Sequence, residues 1–277
     1  MKLNRLLFQL VPKGSVKEEM KSLYYRYYYN RKHFQENNFY IYYKDGYFEY
    51  EFPKGVKFKC YTNVEDELRW SLWGYIKEHT LKIGETVIDC GAGVGDFTFF
   101  AAKIVGTTGR VIAFEPDPII YDKLKTGVEL NKLVNVTLVK KGVWSKNTTL
   151  KFMSANGKPR SHIFDKDDVG VIEIPVVSLD DEFKKMGIDK IDFMKMDVEG
   201  AEVEAIKGAT QILTNMKVDL AIASYHNLNG EKSCFKLEKI LSSMGYRVET
   251  KYPKHLTTHA TRDIHCHSRD TTSSFRQ

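Results

Sequence analysis

Hydrophobic and polar positions follow two regimes along this chain. From about residue 62 onward, short apolar runs alternate with segments of helical period, and glycines or acids mark the ends of the runs. The runs predict strands over 86–90, 110–115, 136–140, 191–196, 219–225 and 246–252, and the periodic segments predict helices near 95–105, 117–131, 201–214 and 231–244. Ahead of them, Leu68, Leu72, Tyr75 and Ile76 recur at helical spacing behind Thr62-Asn63 and a run of early acids, a helix start signal. Repeated strand–helix–strand units predict an α/β fold with a doubly wound, mostly parallel sheet and right-handed crossovers. Two apolar stretches, 148–152 and 171–177, interrupt the alternation and are expected to pair as added edge strands. Between them Ser154 to Gly170 is polar and reads as a loop over the cleft, with Ser161 and His162 as candidate substrate contacts.

Residues 1–61 form the other regime and are expected to be a small N-terminal cap. Aromatics crowd Tyr24-Tyr25-Arg26-Tyr27-Tyr28-Tyr29 and Phe39-Tyr40-Ile41-Tyr42-Tyr43, and Lys44-Asp45-Gly46 reads as a turn before the alternating Tyr47–Phe52 run. This predicts a helix followed by a β-hairpin. Two readings stand for the rings: a cap packed on the main domain, or a stacking platform with Arg26, Arg31 and Lys32 for a sugar or a base. The main domain is expected over 62–253, and a polar tail over 254–277 with a last strand near Ile264. The tail's His255, His259, His265, Cys266 and His267 fit no zinc spacing.

Composition narrows the class. The chain has 277 residues, 42% of them hydrophobic, enough for one large domain with an appendage. No apolar run reaches membrane-spanning length, and the start, Met1 to Pro12, is too short and interrupted for a signal peptide, so a cytoplasmic protein is expected. Cys60, Cys90, Cys234 and Cys266 are scattered, as in a reduced intracellular protein rather than a disulfide framework. The formal charge of +6 permits an anionic partner without demanding one.

The chemistry concentrates where the first predicted strand ends. Val87-Ile88-Asp89-Cys90 opens into Gly91-Ala92-Gly93-Val94-Gly95, and a second strand ends on Phe114-Glu115-Pro116-Asp117. Glycines let a ligand approach the backbone, and a carboxylate at the tip of the second strand accepts hydrogen bonds from ribose hydroxyls. The unit therefore reads as a site for a nucleoside-bearing cofactor. The spacing is Gly-x-Gly-x-Gly rather than the dinucleotide pattern, only one nucleotide-binding half is evident, and Asp89 before the glycines repels a pyrophosphate while welcoming a cationic amino-acid group.

These features resemble the class I, Rossmann-like methyltransferase fold, which binds S-adenosyl-L-methionine. The run Lys195-Met196-Asp197-Val198-Glu199-Gly200-Ala201-Glu202, taken with Ile88–Gly95 and Phe114–Pro118, resembles the FkbM family of S-adenosylmethionine-dependent methyltransferases over about residues 62–250. The resemblance implies O-methylation of a hydroxyl on a sugar, glycan or natural-product acceptor. It implies cofactor contacts at Asp89, Gly91, Ala92, Gly93, Gly95, Phe97 and Thr98, at Glu115 and Pro116, at Gly142 and Val143 beside the adenine, and at Asp197. Trp144 is either a further contact or plain core. Glu199 either caps the next helix or orients substrate, and Glu202 reads as a surface or capping acid. His226, at the end of the fifth strand, is a candidate general base, with Glu199 and Asp197 beside it in the catalytic set. Asp197, His226 and Asn227 also invite a comparison with cation-dependent catechol-type methyltransferases. Histidine in place of a second acid suits a hard cation poorly, so no metal is expected. Two rivals remain: a tRNA or other RNA methyltransferase, for which no RNA-binding module is recognisable, and a cofactor-binding scaffold without transfer chemistry, which the intact set Asp89, Glu115 and Asp197 disfavours.

Overall fold

The computed structural model describes residues 14–154, 162–163, 171–228, 230–251 and 257–261. The chain opens with helix α1 (Ser15–Leu23), a π-helical turn (Tyr24–Tyr29) and α2 (Asn30–Asn37). Strands β1 (Tyr40–Lys44), β2 (Tyr47–Glu51) and β3 (Lys57–Cys60) follow as an antiparallel meander. The expected hairpin turn is present, with Asp45 and Gly46 both at positive φ (52° and 83°), the conformation a tight two-residue hairpin requires. The third strand was not expected. Its Phe58 faces inward and meets Phe99 edge-on with ring centroids 6.0 Å apart, while Phe52 meets Phe100 at 5.0 Å. Asn131 ties the same strand to the main domain, donating to Lys59 O and accepting from Lys59 N, both at 2.7 Å. The hairpin rings thus share one core with the main domain, as the packed-cap reading requires.

A short helical segment comes next: α3 (Glu65–Glu67), a π-helical turn (Leu68–Leu72) and α4 (Trp73–Tyr75). Asn63 caps it by accepting from Glu65 N at 3.0 Å. Then β4 (Thr86–Cys90), α5 (Asp96–Val105), β5 (Arg110–Phe114), α6 (Pro118–Leu130) and β6 (Val136–Val139) alternate as expected. After them run β7 (Gly142–Val143), β8 (Thr148–Met153), β9 (His162–Ile163), β10 (Val171–Val177), α7 (Leu179–Met186) and β11 (Phe193–Met196). The chain continues through α8 (Glu202–Lys207), α9 (Thr210–Asn215), β12 (Asp219–Ala223), β13 (Asn227–Leu228), β14 (Glu231–Lys232), α10 (Ser233–Ser243), β15 (Arg247–Lys251) and β16 (Thr257–Thr261).

The main sheet has seven strands in the order β15-β16-β12-β11-β4-β5-β6. The five strands from β12 to β6 are parallel, and β16 enters antiparallel between β12 and β15. This is the class I methyltransferase-like α/β architecture that the alternation implied. All of β4 is buried, as a central parallel strand covered by helices on both faces must be. The strand order reverses between β4 and β11, so their carboxyl ends open a crevice there.

Three expectations are corrected. The stretches 148–152 and 171–177 do pair with each other, antiparallel. They do so in a separate four-stranded sheet, β7-β10-β8-β9, rather than on the edge of the main one. The helix expected over 201–214 breaks in two at Gly208-Ala209, where Ala209 leaves helical dihedrals (φ −116°, ψ 14°), and Gly208 packs so close to Trp144 O that a Cβ would lie 2.0 Å from it. The tail is not wholly peripheral: Thr257–Thr261 is a buried strand inside the main sheet, so the boundary at 253/254 falls within its last hairpin. Ile264, the other tail residues singled out except His259, and Ser161 lie outside the described residues. His162 sits in β9.

Candidate active site

The crevice holds a cavity of about 1010 Å³, its open mouth included. One part is apolar, with Pro116, Ile120, Val143, Phe152, Ile174 and Val176. The other is acidic, with Glu67, Asp96, Asp197 and Glu199 beside the ammonium of Lys195, while the second lysine of the lining, Lys141, is held by Glu182 at 2.8 Å. Gly91, Ala92, Gly93, Glu115 and Gly142 also line it. The small second sheet therefore supplies apolar wall, through Phe152 of β8 and Ile174 and Val176 of β10.

The glycine loop is shaped by close approach. Gly91 has φ 77°, and a Cβ on it would stand 1.8 Å from Asp197 O, so the tips of β4 and β11 fit together only with glycine here. A Cβ on Gly93 would meet nothing within 4 Å, so open cavity lies against the bare backbone at that position. Glu115 holds this loop in place. Its Oε2 accepts from Gly93 N and its Oε1 from Asp117 N, both at 2.9 Å. Burial pushes the Glu115 carboxyl up to about 7, against the lowering effect of those two amides. The helix cap is the neighbouring Asp117, which accepts from Ile119 N and Ile120 N and, through Oδ2, from Ser154 Oγ at 2.7 Å.

Asp89 does not line the cavity. It is fully buried beneath the loop, accepting from Lys195 Nζ at 2.9 Å and from Thr98 Oγ1 at 2.5 Å. Its charge is answered inside the protein, so the direct contact with a ligand cation expected of it is replaced by a positioning role. Lys195 Nζ also donates to Gly91 O at 2.6 Å, linking the buried pair to the loop. Burial opposes the Lys195 charge, but Asp89, Asp197 and Asp96 outweigh it and raise its pKa. Thr98 acts through Asp89. Phe97 and Gly95 face the protein interior: Phe97 is packed in the core, and a Cβ on Gly95 would meet Phe99 and Leu124. Trp144 packs against the core of the second sheet.

Asp197 stands at the cavity between two phenols, accepting from Tyr75 OH at 2.8 Å and Tyr225 OH at 3.4 Å. Asp96, at the start of α5, is pushed up to about 7 by burial. Two residues on from Asp197, Glu199 adopts φ 52°, a left-handed conformation that costs a non-glycine residue about 1–3 kcal/mol and marks functional turns. That turn aims Glu199 at His226, whose Nε2 lies 3.2 Å from Glu199 Oε2. The capping task falls to Glu202, which is fully buried rather than on the surface and accepts from Val198 N and Gly200 N through Oε1. His226 Nδ1 lies 3.1 Å from the same Oε1. Burial disfavours the His226 charge, but the two glutamates outweigh burial and push its pKa up to about 10. An imidazolium so held has no lone pair for an incoming proton, and His226 is not among the residues lining the cavity. The general-base role expected of it is not supported by this geometry.

Lys195, Tyr75 and Asp96 belong to the site although none was singled out from the sequence. The signal for Lys195 was present: a cation inside the apolar run Phe193-Met194-Lys195-Met196 demands a buried counter-ion. Tyr75 read only as the apolar face of a helix.

The sequence family described as "Methyltransferase FkbM domain" matches residues 89–248. The methyltransferase sdnD of Sordaria araneosa is 27% identical over 157 residues, 45% of this chain and 60% of that protein. The hexuronic acid methyltransferase AglP of Haloferax volcanii is 29% identical over 142 residues, 50% of this chain and 54% of that protein. The chain thus spans a little over half the length of these curated relatives. The crystal structure of methyltransferase FkbM from Methylobacillus flagellatus KT is similar with a TM-score of 0.51 and 22% identity, covering 67% of this chain and 46% of that one, a likeness of fold. No helix among the described residues is long and apolar enough to cross a membrane.

Proposed function

The chain belongs to the FkbM family of S-adenosylmethionine-dependent methyltransferases, and from that premise we propose that it methylates a hydroxyl of a small-molecule or glycan acceptor. One observation carries the reading: at the sheet's reversal point, a cavity joins an apolar pocket to an acid-rich end across a bare glycine backbone. A nucleoside that also carries cationic sulfonium and ammonium groups matches that polarity, whereas a dinucleotide pyrophosphate would meet a lining of five carboxylates against two lysines, both already held by buried acids, Lys141 by Glu182 and Lys195 by Asp89.

The residues fit the cofactor. Gly142, Val143 and the apolar wall from the second sheet would take the adenine. Glu115, already held by two amides, would accept the ribose hydroxyls. Gly91 to Gly93 would offer backbone, and Asp96 and Asp197 would face the cationic groups. When bound, S-adenosylmethionine supplies an electrophilic methyl group on sulfur. The chain's own task is to hold an acceptor hydroxyl in line and to receive its proton. Asp197 and Glu199 are the carboxylates at the cavity suited to that, with the His226 imidazolium anchoring Glu199. Carboxylates are weak bases toward an alcohol, so positioning does most of the work, and well-oriented reactants gain about 7–11 kcal/mol from it. The relative AglP, named as a hexuronic acid methyltransferase, supports a sugar-class acceptor.

The test is incubation with S-adenosylmethionine and a panel of sugars, uronic acids and polyhydroxylated small molecules. A mass gain of one CH2 unit with a methoxy signal by NMR is the expected result. Methylation confined to nitrogen or carbon, or no calorimetric binding of the cofactor, overturns the proposal.

A further inference from the structure

Beside the cavity, Asp197, Glu202 and His226 each offer one potential ligand atom, and these atoms lie within 4.8 Å of one another. The three come from different elements: the tip of β11, the start of α8 and the loop after β12. Glu202 is fully buried, and its Oε2 has no hydrogen-bond partner. His226 Nδ1 is likewise buried and lacks one: its 3.1 Å approach to Glu202 Oε1 is close enough for ion pairing but out of line for a hydrogen bond. A carboxylate oxygen buried without a partner is destabilising, and its place beside two further donor groups points to an occupant. A small cation fits this place, because the orphaned oxygen only accepts and Asp197 adds a second negative charge.

We propose that Asp197, Glu202 and His226 form a binding site for one divalent first-row transition cation, of the Mn2+ or Zn2+ type, which displaces the Nδ1 proton of the imidazolium on binding while Nε2–H still donates to Glu199. Two carboxylates match its charge. One imidazole selects against Mg2+ and Ca2+, which prefer all-oxygen shells. Donors about 2.0–2.2 Å from such an ion sit roughly 3–4 Å from one another, so a pair at the 4.8 Å limit closes by about one to two ångströms. Asp197 also lines the cavity, so an ion held there would stand at its edge. There it would act as a Lewis acid on an acceptor hydroxyl, lowering the basicity demanded of Glu199 and leaving Asp197 to hold the ion. That role, though not the binding site itself, rests on the methyltransferase reading.

The test is titration of the full chain with MnCl2, followed by loss of the free Mn2+ spin-resonance signal, and with ZnCl2 by calorimetry, with MgCl2 for comparison. Wild type should take up one ion per chain. Glu202→Gln, which keeps an oxygen for the Val198 and Gly200 amides, and His226→Ala should each weaken uptake by at least about tenfold. Circular dichroism confirms that the variants are folded, and His226→Ala, at a half-buried position, decides alone should Glu202→Gln not fold. No uptake of Mn2+ or Zn2+ by wild type at millimolar concentration overturns the site, as does wild-type affinity in the folded variants. The same samples are titrated with S-adenosylmethionine. Cofactor binding without ion binding sinks only this inference, and ion binding without cofactor binding sinks only the proposed function.

Discussion

Glu115→Gln is the sharpest test of the cofactor site. The substitution is nearly isosteric, so it changes hydrogen bonding with little change of shape. Both carboxylate oxygens of Glu115 face backbone N–H donors, Gly93 on one side and Asp117 on the other. A glutamine presents one oxygen and one NH2 group, so in either orientation a donor faces a donor. One charge-assisted bond is lost, and the acceptor for a ribose hydroxyl loses its charge. Hydrogen bonds to charged groups contribute about 1.5–3 kcal/mol each, so cofactor affinity should fall roughly tenfold to a hundred-and-fifty-fold. Titration calorimetry with S-adenosylmethionine or its demethylated product reads this directly. The pH dependence gives a second, independent readout. Burial raises the Glu115 carboxyl to about 7 from an ordinary value of 4.5. Between those values the folded protein holds a proton that the unfolded chain has released. The stability from this group is therefore full at low pH and is lost as pH rises through about 7. Cofactor binding wants the carboxylate, so affinity should climb from about pH 6 to about pH 8 and then level off. In Glu115→Gln the slope should shrink to the part owed to Asp96, which burial also raises to about 7. Affinity within a factor of about three of wild type, with the slope unchanged, would refute the assignment of Glu115.

Further outcomes are expected. Lys195→Met leaves Asp89 charged and buried with only Thr98 as partner, and should cost about 3–5 kcal/mol in urea denaturation; adding Asp89→Leu should recover part of that loss, and no recovery would mean the pair is not the cause. Gly91→Ala forces a methyl group against Asp197 O at φ 77°, and should lower stability by at least about 1–3 kcal/mol in the same assay. His226→Ala should leave cofactor affinity unchanged while turnover on the true acceptor falls by at least about tenfold; normal turnover would remove His226 from the site.

The central sheet was legible because its signals are local. β4, β5, β6, β11 and β12 are apolar runs with helical segments between most of them, and right-handed crossovers leave few ways to stack them. β16 was not legible for the opposite reason. Thr257, Thr258, His259 and Thr261 are polar, yet the first three are buried, and Thr258 donates to Ser224 Oγ at 2.9 Å while sharing a bond with Thr250. Their β-branched shape was the available signal, and the polarity masked it. β3 was missed because Phe58 sits between two lysines in a four-residue strand, too short for alternation to register. Gly208 is a glycine for a tertiary reason, the backbone of Trp144 against which a Cβ would clash, and no local pattern contains it.

The site shows the same division between residue identity and residue partnership. Glu115, Gly93 and Asp197 were placed correctly at the crevice because strand tips and glycine loops follow from topology alone. Asp89 and His226 were found as residues, but their partners lie far away in sequence. Asp89 meets Lys195, and His226 meets Glu199 and Glu202. A carboxylate that looks free in a sequence motif becomes half of a buried pair, and a histidine that looks like a base becomes a cation between two acids. Both changes have one origin. β11 lies beside β4, so Lys195 sits opposite Asp89 in the register of the two strands. β12 lies on the other side of β11, which carries the loop holding His226 past the start of α8. The strand that closes the sheet's reversal point therefore also decides the charge state of the site, and the chemistry of Asp197 depends on neighbours that only the sheet order brings together.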